Sequence, residues 1–63
     1  MNKPSLWNVR LAICDAIADN DEKALQAYKD GAITYEECRA QMFPIGAAAL
    51  VRDAIAKEWD KCQ

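Results

Sequence analysis

The fold is decided at the stretch Asp30-Gly31-Ala32-Ile33-Thr34-Tyr35-Glu36-Glu37, which ends one predicted helix and begins the next. Gly31 can adopt the left-handed backbone conformation that closes a helix C-terminus. Thr34 and Glu37 have the spacing of a capping box, in which the threonine is the N-cap and the glutamate is the third helical residue. Ile33 and Cys38 flank this box at the spacing of a hydrophobic staple. The stretch therefore predicts a turn between two helices.

The rest of the chain predicts an all-α bundle of four helices, two long and two short, in one domain over residues 1–63. Pro44 disfavours α geometry at Phe43, so a helix should stop there. The first and fourth helices are expected to form the main packed pair. The predicted spans are about Ser5–Asp19 (broken by Asn20-Asp21), Asp21–Asp30, Tyr35–Met42, and Gly46 or Ala47 to Lys61.

The expected core contains large apolar residues from all parts of this bundle. In the fourth helix they follow spacings of three or four residues, which is the pattern of one buried helix face. The members of the expected core are Val9, Ile13, Ile17, Leu25, Tyr28, Ile33, Val51 and Ile55.

The first helix is apolar around most of its circumference. At 100° per residue, Asn8, Asp15 and Asp19 form one narrow polar strip, and nearly all other positions are apolar. Such a helix needs cover on several sides, from two short helices or from a second copy of the chain. A chain of 63 residues is also marginal in stability on its own. We therefore expect a homodimer, with Trp7 and Leu11 at the contact.

Arg10 lies in the middle of this apolar arc. One interpretation is that its stem packs on the helix while the guanidinium reaches water. The other is that it pairs with an acidic residue of a partner chain, since arginine is enriched in interfaces. The sequence favours the first interpretation and leaves the second open.

Composition excludes several classes of protein. There are 8 basic and 10 acidic residues, giving a net charge of −2, so the basic face needed for nucleic-acid binding is not expected. No apolar stretch approaches the ~20 residues of a membrane span. Three cysteines without a Cys-x-x-Cys pair or a secretory leader predict reduced thiols and a cytoplasmic protein. So short a chain is not expected to hold a small-molecule pocket of ~300–1,000 Å³.

No catalytic or metal site is predicted. The chain has no histidine and one serine, Ser5, and its cysteines have only Lys, Asp or Glu available as an activating base. The Glu36-Glu37 pair serves the cap and the helix dipole. The acidic run at residues 19–22 lacks the ligand spacing and central glycine of a calcium loop. We therefore predict a non-enzymatic protein without a cofactor or metal.

A small DNA-binding regulator is the alternative. The predicted helices on either side of Gly31 resemble a helix-turn-helix corner in outline. The second of them would begin with Glu36 and Glu37, whose carboxylates face the phosphates they should avoid. Only Arg39 and Gln41 could read bases, and nucleic acid is therefore not the expected partner.

Residues 25–38 resemble the SHOCT motif, a short helical domain associated with oligomerisation. The resemblance is carried by a helix followed by Asp30-Gly31-Ala32-Ile33-Thr34-Tyr35-Glu36-Glu37 and an apolar position. The chain departs from the motif at Cys38, where a bulky apolar residue is usual, and at Phe43-Pro44, where the family's second helix continues. The resemblance implies a propensity to self-associate.

These observations favour a module for protein–protein interaction, an inhibitor or adaptor that occupies a surface of an unidentified partner. Small acidic reading frames of phages and mobile elements have this size and composition. A structural subunit of a larger assembly is a further alternative. The candidate interface residues are Trp7, Arg10, Leu11, Cys14, Tyr35, Phe43 and Trp59, most of them types that anchor interfaces.

Overall fold

The computed structural model describes residues 3–62 and contains three helices: α1 (Leu6–Lys29), α2 (Tyr35–Gln41) and α3 (Ala48–Lys61). No strand occurs in this range. The all-α prediction is confirmed. The prediction of four helices is wrong, because the first two predicted helices are one continuous helix.

The helix α1 passes through Asn20 and Asp21, where the sequence predicted a break. Asparagine and aspartate end helices when their side chains bond to the local backbone. Here both side chains bond across the fold. Asn20 Nδ2 donates to the carbonyl oxygen of Gln41 at 2.8 Å, and the backbone N–H of Phe43 donates to Asp21 Oδ1 at 3.2 Å. The polar pair therefore anchors the α2–α3 connection and leaves the helix intact.

The helix end at Gly31 and the capping box of Thr34 and Glu37 are confirmed. Gly31 has a φ of 79°, its N–H donates to Tyr28, and the Ala32 N–H donates to Ala27, so α1 ends in a Schellman motif. The capping box is complete: the Glu37 N–H donates to Thr34 Oγ1 at 3.1 Å, and the Thr34 N–H donates to Glu37 Oε1 at 2.9 Å. At the other end of α1, Ser5 Oγ accepts from the Asn8 N–H at 3.0 Å.

The molecule is a rod two helices thick. Both α2 and α3 pack on α1, more extensively for α3, and they do not pack on each other. The Cα atoms extend over 47 × 15 × 15 Å, and the radius of gyration is 14.0 Å. A globular chain of this length would have a radius of gyration of about 11 Å. The expected main pair, formed by the first and last helices, is confirmed as α1 and α3.

The core is made of small residues. The buried apolar residues are Ala24, Cys38, Ala47 and Ala54. The expected core is therefore wrong at Leu25 and Tyr28, which are 50% and 46% exposed. Its other members are only partly buried: Val9, Ile13, Ile17, Ile33, Val51 and Ile55. The reason is geometric, since a layer of two helices covers each helix on one side and leaves the opposite side to solvent.

Candidate protein interface

The helix α1 has two apolar faces. An inner face packs on α2 and α3 and is partly or fully buried at residues 9, 13, 16, 20, 24 and 27. About 150° around the helix, at 100° per residue, lies a second face. We call this second face the outer stripe, and it consists of Trp7, Leu11, Cys14, Ala18 and Leu25, all exposed.

Three of the predicted interface residues belong to the outer stripe. Trp7 is 64% exposed and Leu11 46%, and Cys14 is exposed between them. Neither α2 nor α3 covers this side of the helix. Of the two kinds of cover that the sequence left open, cover by the other helices of the same chain does not extend to this side of α1.

Leu25 is a stripe residue that the sequence analysis assigned to the core. The signal that could have found it is its spacing: the stripe residues follow one another at intervals of four, three, four and seven. That regularity crosses Asn20-Asp21, where the expected helix break interrupted the pattern. Leu6 and Ile45 were also missed, and they are 76% and 62% exposed.

A shallow hollow of about 350 Å³ lies on the C-terminal half of the outer stripe. Ala18 and Leu25, which lie two turns apart on the same face of the helix, belong to its apolar lining. Charged and polar groups form its rim. The lining residues are Ala18, Asp21, Glu22, Leu25, Gln26 and Lys29.

Arg10 is exposed at the edge of the outer stripe, one turn from Trp7. The ion pairs within residues 3–62 are Lys23–Asp19 and Lys61–Glu58, so Arg10 has no acidic partner inside the described chain. This placement fits a guanidinium that reaches water, and it equally leaves the group available to a second chain.

Asp21 has one carboxylate oxygen engaged. Its Oδ1 accepts from Asn20 Nδ2 at 3.1 Å and from the Phe43 N–H at 3.2 Å. Both bonds use the same oxygen, so Oδ2 has no hydrogen-bond donor among residues 3–62. An acidic group on the rim of the hollow thus retains acceptor capacity toward solvent.

Tyr35 lies at the corner between α1 and α2 and is 58% exposed. Its ring meets the ring of Tyr28 edge to face, with centroids 6.0 Å apart and planes at 65°. The Arg39 guanidinium lies 6.0 Å from the Tyr35 centroid. These three side chains form an exposed aromatic and cationic cluster, separate in sequence from the N-terminal part of the outer stripe.

The two remaining predicted interface residues come from other elements. Phe43, 44% exposed, belongs to the connection that Asp21 anchors to α1. Trp59, 41% exposed, lies on α3. The structure therefore does not unite all seven predicted residues in one patch: four lie along α1, and three are distributed over α2, the α2–α3 connection and α3.

The groove between α1 and α3 measures about 230 Å³, below the ~300 Å³ at which small-molecule sites begin. Its floor is alanine and its rim is charged. There Lys61 Nζ lies 2.8 Å from Glu58 Oε2, and the hydrogen bond to that carboxylate raises the pKa of Lys61. Within residues 3–62 no group of three His, Cys, Asp or Glu side chains could hold a metal ion.

The cysteines occupy three different environments. Cys38 is buried and its Sγ donates to the Ala24 carbonyl oxygen at 3.5 Å, while Cys14 is exposed and Cys62 is half-buried. None forms a disulfide in the described chain. Cys38 therefore acts as a small core residue.

No helix over residues 3–62 combines the length and apolarity that a membrane crossing requires. Comparison of the chain with protein-family models, curated proteins and solved structures found no match. The resemblance to the SHOCT motif stays a prediction.

Proposed function

We propose that this chain is a small, non-enzymatic protein–protein interaction module of the cytoplasm, which acts as an inhibitor or adaptor by occupying a surface of another protein. The observation that supports this proposal is the position of its aromatic residues. Trp7, Tyr35, Phe43 and Trp59 could have formed the core of a very small protein. Each is instead 41–64% exposed, while the buried positions are alanines and one cysteine.

Large exposed apolar side chains are informative when they cluster. Isolated ones are common on soluble proteins, whereas contiguous patches mark interaction sites. Aromatic residues are the typical anchors of such sites, because their wide surfaces are buried on binding with few rotatable bonds. In this chain they occur on every helix, which suits contact with partners on more than one side.

We divide this surface between two kinds of contact. The outer stripe supports the self-association expected from the sequence. The heterologous partner is expected to contact the cluster of Tyr35 and Arg39, which lies at the opposite end of α1 from Trp7. It is also expected to contact Phe43, which is exposed on the α2–α3 connection beside the middle of α1. The partner's complementary surface would present apolar pockets for the two aromatic rings and an acidic group for Arg39.

Affinity capture from the native cell tests this function. The tagged chain should co-purify with a protein at stoichiometric yield. Tyr35→Ala and Phe43→Ala should each reduce that yield at least tenfold, as losses of aromatic anchors do. Lys57→Ala, an exposed change on α3, is the control and should leave the yield unchanged.

Two outcomes would overturn the proposal. One is recovery of no protein, together with nucleic acid that survives moderate salt, which would favour the DNA-binding alternative. The other is a partner protein whose yield is the same for both aromatic variants and for the control, which would place the contact elsewhere.

A further inference from the structure

We propose that the outer stripe of α1 is covered by the α1 helix of a second copy of this chain, running antiparallel, with Trp7 of each copy seated in the hollow between Ala18 and Leu25 of the other. This inference rests on the part of the proposed function that concerns self-association, and it does not depend on the heterologous partner. It specifies the orientation, the register and the residues that meet.

The chain exposes more surface than a compact monomer of its mass. The accessible surface is 4916 Å². A folded monomer of 7.0 kDa is expected to expose about 4,000 Å², so this chain exposes roughly 900 Å² more. A stable interface of standard size buries about 800 Å² per partner. The rod shape accounts for part of this excess, and the exposed side chains of the outer stripe contribute to it.

The spacing of the outer stripe fits a helix as the covering element. Intervals of four, three, four and seven residues correspond to a repeat of 3.5, which is the seam of two helices wound together. The interval of seven passes over one polar seam position, Asp21. The stripe runs from Trp7 to Leu25, a length of about 27 Å along the helix. Within the described chain, only α1 itself is long enough to contact the whole of it.

The hollow and Trp7 are complementary in position. If the twofold axis lies level with residue 16, residues equally distant from 16 in opposite directions face each other. Trp7 then lies level with Leu25 of the second copy, over the hollow of about 350 Å³ that Ala18 and Leu25 line. At the centre, Cys14 lies level with Ala18, and these small side chains allow the two helices to approach closely.

The charges are compatible with the antiparallel arrangement, and the position of the hollow favours it. Arg10 and Asp21 lie on the same flank of the outer stripe, and an antiparallel twofold brings equal flanks together. Arg10 then comes level with the acidic rim of the hollow and within reach of Asp21 Oδ2. In a parallel pair in register, opposite flanks come together, so Arg10 would lie beside Asp15 of the second copy. The hollow would then face its own copy, and Trp7 would have no hollow to enter.

Disulfide trapping between two variants tests the register. The first chain keeps Cys14 and carries Cys62→Ala; the second carries Cys14→Ala, Ala18→Cys and Cys62→Ala. In the proposed dimer, position 14 of one copy lies opposite position 18 of the other. Identical positions of the two copies are offset along the helix axis by about 6 Å. Identical positions then exceed the ~7 Å Cα separation that a disulfide can span. Mild oxidation should therefore crosslink the mixture and neither chain alone.

Crosslinking of each chain with itself would overturn the antiparallel register and indicate a parallel pair. Absence of crosslinked dimer in all three samples would also overturn the proposal. Circular dichroism of both variants, with the helical spectrum of the unmodified chain as reference, establishes that they are folded.

The contribution of the Trp7 seat is tested by sedimentation equilibrium of the full chain. Trp7→Ala should weaken dimerisation at least 30-fold, because each dimer loses two aromatic anchors and the truncation of one such anchor typically costs tenfold or more. Leu6→Ala is the matched control: Leu6 is a neighbouring residue, 76% exposed, and lies 100° away from the stripe. It should change the dimerisation constant less than threefold. Equal effects of the two variants would contradict the placement of Trp7 in the hollow of the second copy.

Failure here is distinguishable from failure of the proposed function. If the chain is monomeric but still captures a protein through Tyr35 and Phe43, the antiparallel dimer is refuted and the proposed interaction with a partner protein stands. If the antiparallel dimer is trapped but captures no protein, the dimer stands and the proposed function as an interaction module is refuted.

Discussion

The backbone N–H of Phe43 donates a hydrogen bond of 3.2 Å to Asp21 Oδ1, and this bond fastens the α2–α3 connection to the middle of α1. Asn20, the preceding residue, makes the second such bond, to the Gln41 carbonyl oxygen at 2.8 Å. Since α2 and α3 do not pack on each other, these two polar side chains hold the connection between them in place. Asn20 and Asp21, residue types that often end a helix, therefore make tertiary contacts with the α2–α3 connection.

Removal of this contact should destabilise the fold. We expect Asp21→Ala to lower the free energy of unfolding by about 1 kcal/mol, because the Phe43 N–H loses a charged acceptor while alanine improves helix propensity by a fraction of that amount. Urea titration followed by circular dichroism, at one fixed chain concentration, measures it. Asp15→Ala, an exposed position of the same helix, is the control and should be neutral or slightly stabilising. Equal effects of the two changes would contradict the anchoring role.

The two glycines should respond differently to alanine. Gly31 has a φ of 79° and open space around it, so Gly31→Ala should cost about 1 kcal/mol of backbone strain. At Gly46, an added Cβ would overlap the backbone carbonyl of Ala40. Since a backbone cannot move aside like a flexible side chain, Gly46→Ala should cost more, about 2–3 kcal/mol. Thermal unfolding of both variants checks the order, and a smaller loss for Gly46→Ala would contradict the close approach.

The capping box should be structural. Thr34→Ala removes the acceptor for the Glu37 N–H and should lower the free energy of unfolding by about 1 kcal/mol. Thr34→Ser keeps a hydroxyl at the N-cap and should be nearly neutral. Chemical denaturation compares the two. A Thr34→Ala chain of undiminished stability that no longer binds its partner would instead identify Thr34 as a contact residue.

Charge reversal at Arg10 separates its two interpretations. A guanidinium that only reaches water predicts little change for Arg10→Glu, whereas one that meets Asp21 of a second copy predicts dissociation. We expect dissociation, with the dimerisation constant weakened at least tenfold, because the new carboxylate would face an acidic rim. Sedimentation equilibrium measures it. Arg52→Glu, the same reversal at an exposed position of α3, should leave the association state unchanged; a loss there as well would point to net charge instead.

The local elements were predictable because their determinants are close together in sequence. The Schellman turn at Gly31 and the box of Thr34 and Glu37 depend on backbone groups three to five residues away, and both occur as predicted. The same local reasoning failed at Asn20 and Asp21. Their hydrogen-bond partners lie 21 and 22 residues further on, and a local pattern carries no information about such partners.

The sequence by itself determined the all-helical class, the ends of the helices that have local caps, and the excess of apolar surface on the first helix. Only the tertiary structure decided that α1 is continuous, that the core consists of alanines and Cys38, and that the aromatic residues lie outside it. The physical reason is that capping energies act within one turn of helix, whereas burial depends on how many neighbours each face receives. A rod two helices thick gives α1 neighbours on one face, and the outer stripe stays exposed.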